Sequence, residues 1–279
     1  MKKYLFLRIL IPFTLLFCIA MFFIFFGAKF FSSQGERFSR KGDYQKALHY
    51  YQICVERYPN YSGMPEVLLR MAEIYHLKFD NYVEARKIYQ KVIKNYPDSQ
   101  WEKLARGKIK DCYDYFPLQE GNFWLEGDSE SGGKNYSAEI SCIGSYRVIR
   151  KVYAGRKLVA TINLTYKKTE KELCEYDSTA PDGRLIFRYP LKIGDNWSIG
   201  ENLEKVVYTV ISKEEETKTK GGQFTDCLKI RQEKKATPGS LRYDYYAPGI
   251  GRVLITQASQ YGSKEVRISE LLSYKVVEE

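Results

Sequence analysis

Apolar residues follow three different rhythms along this chain. From Ile9 to Phe26 they run without a single charge. From 34 to 116 they recur at spacings of three and four, the stripe of helices that bury one side. Beyond Gly121 that period is lost and a looser alternation replaces it, as half-buried strands require; Ile162, Leu164 and Tyr166 share one side, for example. The second rhythm predicts helices over 34–41, 44–57, 66–77, 82–96 and 100–116. The third predicts strands over 136–143, 146–153, 157–166, 185–189, 204–212, 224–232, 241–246, 251–259 and 266–274. Gly144-Ser145, Ala154-Gly155 and Pro181-Asp182-Gly183 supply turn signals. The polar stretch 213–222 reads as a hairpin loop, and 235–240 as another. Helices first and strands after argue for separate domains, and roughly nine or ten strands with short turns imply a strongly curved antiparallel sheet or an open barrel.

Within the helical stretch one pattern is written twice. Tyr44, Ala47, Tyr51, Tyr58 and Pro59 recur as Tyr82, Ala85, Tyr89, Tyr96 and Pro97, each 38 residues on. A fixed period of that size marks a helical-hairpin repeat. Ala47, Ala72 and Ala85 sit where helices approach closely, so a methyl group fits and a larger group would force them apart. Tyr51 and Tyr89 fill space against the next hairpin. Pro59 and Pro97 lack an N–H and stop the helix.

These residues resemble the tetratricopeptide repeat, over roughly residues 34–116. The first copy is Gly42-Asp43-Tyr44, Ala47, Tyr51 and Pro59; the second is Met71-Ala72, Tyr75, Tyr82, Ala85, Tyr89 and Pro97. The period of 38 exceeds the family's usual length of roughly 34. The version ending in Tyr96-Pro97-Asp98-Ser99 looks like that of bacterial envelope proteins. The resemblance implies a concave groove for peptides or partner proteins, and its candidate partner-binding residues are Arg70, Glu73, His76 and Lys78.

The later region carries a second resemblance. Tyr189-Pro190-Leu191 with Gly194, Asn196 and Trp197, then Phe224 to Leu228, then Tyr245-Tyr246-Ala247-Pro248-Gly249-Ile250-Gly251, then Glu270 to Tyr274 together look like an uncharacterised bacterial extracytoplasmic β domain. That family implies no established chemistry; its nearest shape analogues bind lipid or protein. Gly249 and Gly251 permit a tight backbone path, and Trp197 reads as a core or rim ring before a ligand platform.

The uncharged run Ile9–Phe26 is long enough to span a bilayer, and Lys2, Lys3 and Arg8 before it predict a cytoplasmic tail with the bulk of the chain outside. A cleaved signal peptide and a lipoprotein are the alternatives, but Phe26-Gly27-Ala28 is a poor cleavage site and Leu16-Phe17 a poor approach to Cys18. The net charge of +10 suits an anionic surface or a merely solvated one. Six Cys show no CxxC spacing, and only His49 and His76 could join them, so no metal site is expected. A disulfide among Cys142, Cys174 and Cys227 is left open.

Three domains follow: a tail and transmembrane anchor at 1–28, tetratricopeptide-like hairpins at 34–59 and 64–97 within 29–120, and an antiparallel β domain at 121–279. The expected fold class is α+β multidomain, with an N-terminal transmembrane helix, a short α-hairpin array and a curved sheet or open barrel. The expected function is a scaffold or adaptor tethered to the bacterial cytoplasmic membrane by a single pass, binding an envelope protein or peptide through its repeats. The alternative is a β domain that holds a lipid or other apolar ligand. No HExxH, GxSxG or P-loop is present, the carboxylates select no acid–base pair, and no basic stripe points to nucleic acid. An enzyme is not expected, nor a cofactor.

Overall fold

In a computed structural model describing residues 26–169 and 171–277, the chain divides into two compact units, Met1–Cys112 and Tyr113–Glu279.

The first unit is built of helices. α1 covers 26–40 of the described residues, α2 Tyr44–Arg57, α3 Met64–Lys78, α4 Tyr82–Asn95 and α5 Gln100–Ile109. The two repeats cap their second helices alike: Asp43 accepts from the Lys46 amide at 3.2 Å, and Asn81 from the Glu84 amide at 3.1 Å. Ser99 does the same for α5 at 3.1 Å. Each short polar side chain satisfies one of the amides that a helix start leaves without a carbonyl. Ala47, Tyr51, Ala72, Ala85 and Tyr89 are fully buried, whereas Pro59 and Pro97 lie exposed in the turns. The Tyr51 ring lies directly on Gly35 of α1, where any Cβ would meet it at 2.4 Å. The first hairpin is therefore closed by a glycine–tyrosine contact as well as by Ala47. α5 ends at Ile109, and the tyrosines that follow belong to the second unit.

The expected membrane anchor requires correction. No helix among the described residues is long and apolar enough to cross a membrane. The described part of α1, 26–40, does not qualify, because Lys29, Glu36, Arg37 and Arg40 interrupt it and a span needs ~20 mostly apolar residues. The remainder of the expected span, from Ile9 to residue 25, lies outside the described residues. Among the described residues the fold class is therefore α+β without a transmembrane helix, and the tethered-scaffold function, the membrane as a partner and the single-pass location are withdrawn with it.

The second unit is one antiparallel sheet of twelve strands among the described residues, nearly closed into a barrel. Its strands are β1 Phe123–Asp128, β2 Tyr136–Gly144, β3 Arg147–Ala154, β4 Lys157–Lys168, β5 Glu172–Asp177 and β6 Ala180–Arg188, then β7 Asn196–Ile199, β8 Val206–Thr219, β9 Gly222–Lys234, β10 Leu241–Ala247, β11 Gly251–Ala258 and β12 Val266–Lys275. The order is β6-β5-β4-β3-β2-β1-β12-β11-β10-β9-β8-β7. Every strand pairs with its neighbour in sequence except β6 and β7, which flank the seam; β1 pairs with β12 instead. Pro181 and Gly183 lie inside β6 rather than forming a turn, which Ser178-Thr179 makes. An edge strand tolerates a residue that cannot donate to a ladder.

The stretch 213–222, expected as a polar loop, continues β8 to Thr219 and re-enters β9 at Gly222, leaving only Lys220-Gly221 as the turn. The end of this long arm lies against β12. The Gly221 amide donates to the Leu271 carbonyl at 2.8 Å, Arg267 Nη2 donates to the Lys218 carbonyl at 2.8 Å, and the Phe224 and Tyr274 rings lie 6.1 Å apart. Lys213, Thr217 and Thr219 are buried, so polarity in the sequence conceals a packed strand. Cys142, Cys174 and Cys227 are all free thiols, which closes the disulfide left open by the sequence.

Candidate functional site

Alternation in the strands aims one set of side chains into the barrel, and there they enclose a cavity of about 320 Å³. One part of its wall is apolar: Phe116, Trp124, Leu164, Ile186, Phe187 and Ile230. The other part is charged. Glu126 on β1, Arg150 on β3, Glu175 on β5, Arg242 and Asp244 on β10 and Arg252 on β11 all line it, with Gln232, Tyr208 and Tyr246.

The charged groups are organised in pairs. Arg252 grips Glu126 with two bonds, Nη2 to Oε2 at 2.8 Å and Nε to Oε1 at 3.1 Å, and Arg150 Nη2 stands 3.8 Å from the same carboxylate. Asp244 accepts from Arg242 Nε at 2.8 Å and Nη2 at 3.2 Å, from Gln232 Nε2 at 2.6 Å and from the Tyr246 hydroxyl at 3.5 Å. Glu175 accepts from the Tyr166 hydroxyl at 2.5 Å and from Arg184 Nη2 at 2.9 Å. Only 2% of the Asp244 side chain and 7% of the Glu126 side chain is exposed, which makes pairing obligatory. An unpaired charge at either place would cost several kcal/mol of solvation.

These surroundings set the protonation states. Burial pushes Glu126 up, but the charge and hydrogen bonds of Arg252, joined by the charges of Arg150 and Arg242, outweigh it and hold the carboxyl below its ordinary value. The Arg252 guanidinium is held well above its usual range; burial opposes this, and the carboxylates of Glu126 and Asp244 prevail. Tyr166 is raised well above its ordinary value by burial and then by Glu175. Tyr208 and Tyr246 are raised by burial first and by Asp244 second. At neutral pH Glu126 is thus ionised, Arg252 cationic, and Tyr166, Tyr208 and Tyr246 neutral phenols.

A strap formed by residues 113–118 lines the same cavity through Phe116, Pro117 and Leu118. Lys168 Nζ holds it from β4, 2.7 Å from Asp114 Oδ2 and 3.1 Å from the Phe116 carbonyl. The Gly249 amide holds it from the β10–β11 turn, donating to the Asp114 carbonyl at 2.6 Å. Trp124 Nε1 donates to the Ile250 carbonyl at 2.5 Å in the same turn. Gly251 takes φ +106°, where a side chain is strained, and a Cβ there would sit 3.6 Å from Trp124 Nε1 and 3.8 Å from Pro117 Cδ. The Ala-Pro-Gly-Ile-Gly segment is thereby the fastening of the strap. The Phe116 ring lies 5.1 Å from Tyr166 and 6.0 Å from Phe187. Trp197 is buried and stacks on Tyr208 at 5.5 Å with planes 4° apart, so it backs a cavity residue from behind.

The partner-binding residues suggested by the repeats lie in the helical unit, where each makes a contact of its own. Arg70 pairs with Glu66 at 2.7 Å and stands 3.7 Å from Glu36. Glu73 pairs with Lys108 at 3.0 Å. His76 is buried, with Nδ1 3.5 Å from the Tyr89 hydroxyl, and Lys78 Nζ lies 5.3 Å from the centre of the Tyr44 ring. None of them lines the cavity. Glu126, Arg150, Arg242, Asp244 and Arg252, which do, were missed in the sequence. The available signal was a charged or hydroxyl-bearing side chain at every second position of β10, as in Arg242, Asp244 and Tyr246. Among the described residues no group of three or more His, Cys, Asp and Glu is arranged to hold a metal ion.

Residues 34–61 and 66–99 match the tetratricopeptide repeat family model. The helical unit is tetratricopeptide-like. Over 59% of its length the chain is similar, at 18% identity and a TM-score of 0.41, to a Bacteroides fragilis protein of YmcC-like fold described as exported, which is covered to 100%. A Parabacteroides distasonis protein described as a lipoprotein is similar at 13% identity and a TM-score of 0.39, over 58% of this chain and 99% of that one. No curated protein matches the chain.

Proposed function

We propose that the barrel unit is a binding domain for a small organic molecule with an apolar body and a polar end. The observation that carries this reading is the interior cavity of about 320 Å³, apolar on one side and charged on the other. Its size falls within the ~300–1,000 Å³ common to small-ligand sites, and a few convergent polar groups within an apolar wall are what such sites use to fix orientation. The lipid or other apolar ligand expected from the sequence is narrowed by this reading to one with a polar end, because a pure hydrocarbon would leave the buried Arg150 Nε, which has no hydrogen-bond partner in the protein, unsatisfied.

We favour binding over catalysis for a physical reason. A general acid or base works best with a pKa near the working pH. Glu126 is held ionised by Arg252, so it makes a fixed charge rather than a proton relay.

The test uses 1-anilinonaphthalene-8-sulfonate, a fluorescent probe with an aromatic body and one polar group. The full chain is expected to bind it saturably, with one site per chain. Leu164→Trp, which fills the cavity from β4, is expected to abolish the signal while the circular dichroism spectrum stays that of the parent. Equal probe binding by the parent and the folded variant would overturn the proposal.

A further inference from the structure

We infer that the polar end of this ligand is an anion with two or more acceptor oxygens, a carboxylate being the simplest; the inference rests on the binding function proposed above. It follows from the hydrogen-bonding capacity of the cavity rather than from its net charge. The lining carries Arg150, Arg242 and Arg252 against Glu126, Glu175 and Asp244, so the formal charges balance.

The acceptors are already engaged. Glu126 receives Arg252 on both oxygens, at 3.1 and 2.8 Å. Asp244 receives Arg242 on both, at 2.8 and 3.2 Å, and Gln232 as well at 2.6 Å. Glu175 receives Arg184 on one oxygen at 2.9 Å and Tyr166 on the other at 2.5 Å.

The donors are not all engaged. A guanidinium carries several N–H groups in a rigid fork. Arg150 gives one hydrogen bond, from Nη2 to the Tyr136 hydroxyl at 3.2 Å, and its Nε is buried without a hydrogen-bond partner. Arg252 Nη1 reaches no closer than 3.9 Å to Asp244. A ligand that offers hydrogens finds every carboxylate oxygen already holding at least one donor. A ligand that offers oxygens finds Arg150 beside Arg252, and the fork geometry of a guanidinium matches a carboxylate with two parallel bonds.

The experiment compares three probes with one body: 2-naphthoate, 2-naphthylmethanol and 2-naphthylmethylamine, titrated calorimetrically into the full chain at neutral pH. Naphthoate is expected to bind at least about tenfold more tightly than the alcohol, since a hydrogen bond to a charged group exceeds a neutral one by that order. The amine is expected to bind most weakly of the three. Arg150→Met is expected to weaken naphthoate by more than it weakens the alcohol, removing most of the difference between them. Arg150→Lys, which keeps the charge but loses the fork, is expected to recover part of the difference. If the alcohol binds as tightly as naphthoate, the anion inference is overturned while the binding function stands. If the amine binds most tightly, it is likewise overturned. If none of the three binds and the sulfonate probe also fails, the binding function falls with it.

Discussion

Arg252 and Glu126 set the strongest constraint at the scale of single residues. Arg252→Met would strand the Glu126 carboxylate in the barrel, and removing one partner of such a pair costs about 3–5 kcal/mol. The double variant Arg252→Met with Glu126→Leu is expected to recover most of that loss, because two apolar side chains leave no buried charge; urea unfolding of the variants measures both. The same pair has a pH signature. Glu126 is held below its ordinary value of 4.5, so its contribution to stability is complete above the ordinary carboxylate range. It is lost as pH falls through the lower value of the folded state. The acid limb of stability should therefore flatten in the double variant. None of this was legible in the sequence as a pair, since 126 positions separate the two residues. Alternation announces which side of a strand faces inward, but charges at inward positions look like solvent-facing ones until the barrel closes around them.

Among the elements, the helical hairpins were the most legible, because a helix carries its own signals. Asp43, Asn81 and Ser99 mark starts, the turns at Pro59 and Pro97 mark stops, and the fully buried Ala47 and Ala85 mark close approach. Ala85→Leu is expected to cost about 1–3 kcal/mol by forcing α4 from its neighbours, read as a fall in the urea midpoint. The β8–β9 arm was the least legible. Lys213, Glu214, Glu215, Glu216 and Lys218 crowd that stretch with charge, and such a run reads as a loop. Its strand character comes from the ladder with β9 and from β12 beneath its tip, contacts that no local pattern encodes. The six-residue β1 and β5 and the four-residue β7 were missed for a related reason: a strand that short holds too few positions to display a period.

On the scale of the molecule, division into a helical and a strand unit follows from the change of rhythm along the chain, but the route of the sheet does not. A sequence displays neighbours; it does not display that β1 closes on β12. That one pairing has a consequence in time. During synthesis β1 to β6 can form a meander as they appear, and β7 to β11 a second one, each from adjacent strands. The two halves share no ladder until β12 has been made and lies between β1 and β11. Closing so distant a pair is intrinsically slow, so the last strand made is the one that turns two half-sheets into a barrel. A chain stopped before Val266 should keep strand signal in circular dichroism yet lose cooperative unfolding, and refolding of the full chain should show its slow phase in Trp124, whose strand waits for that partner. Until then the Arg252 and Glu126 pair stands in separate halves: Glu126 has been synthesised long before Arg252 exists to neutralise it.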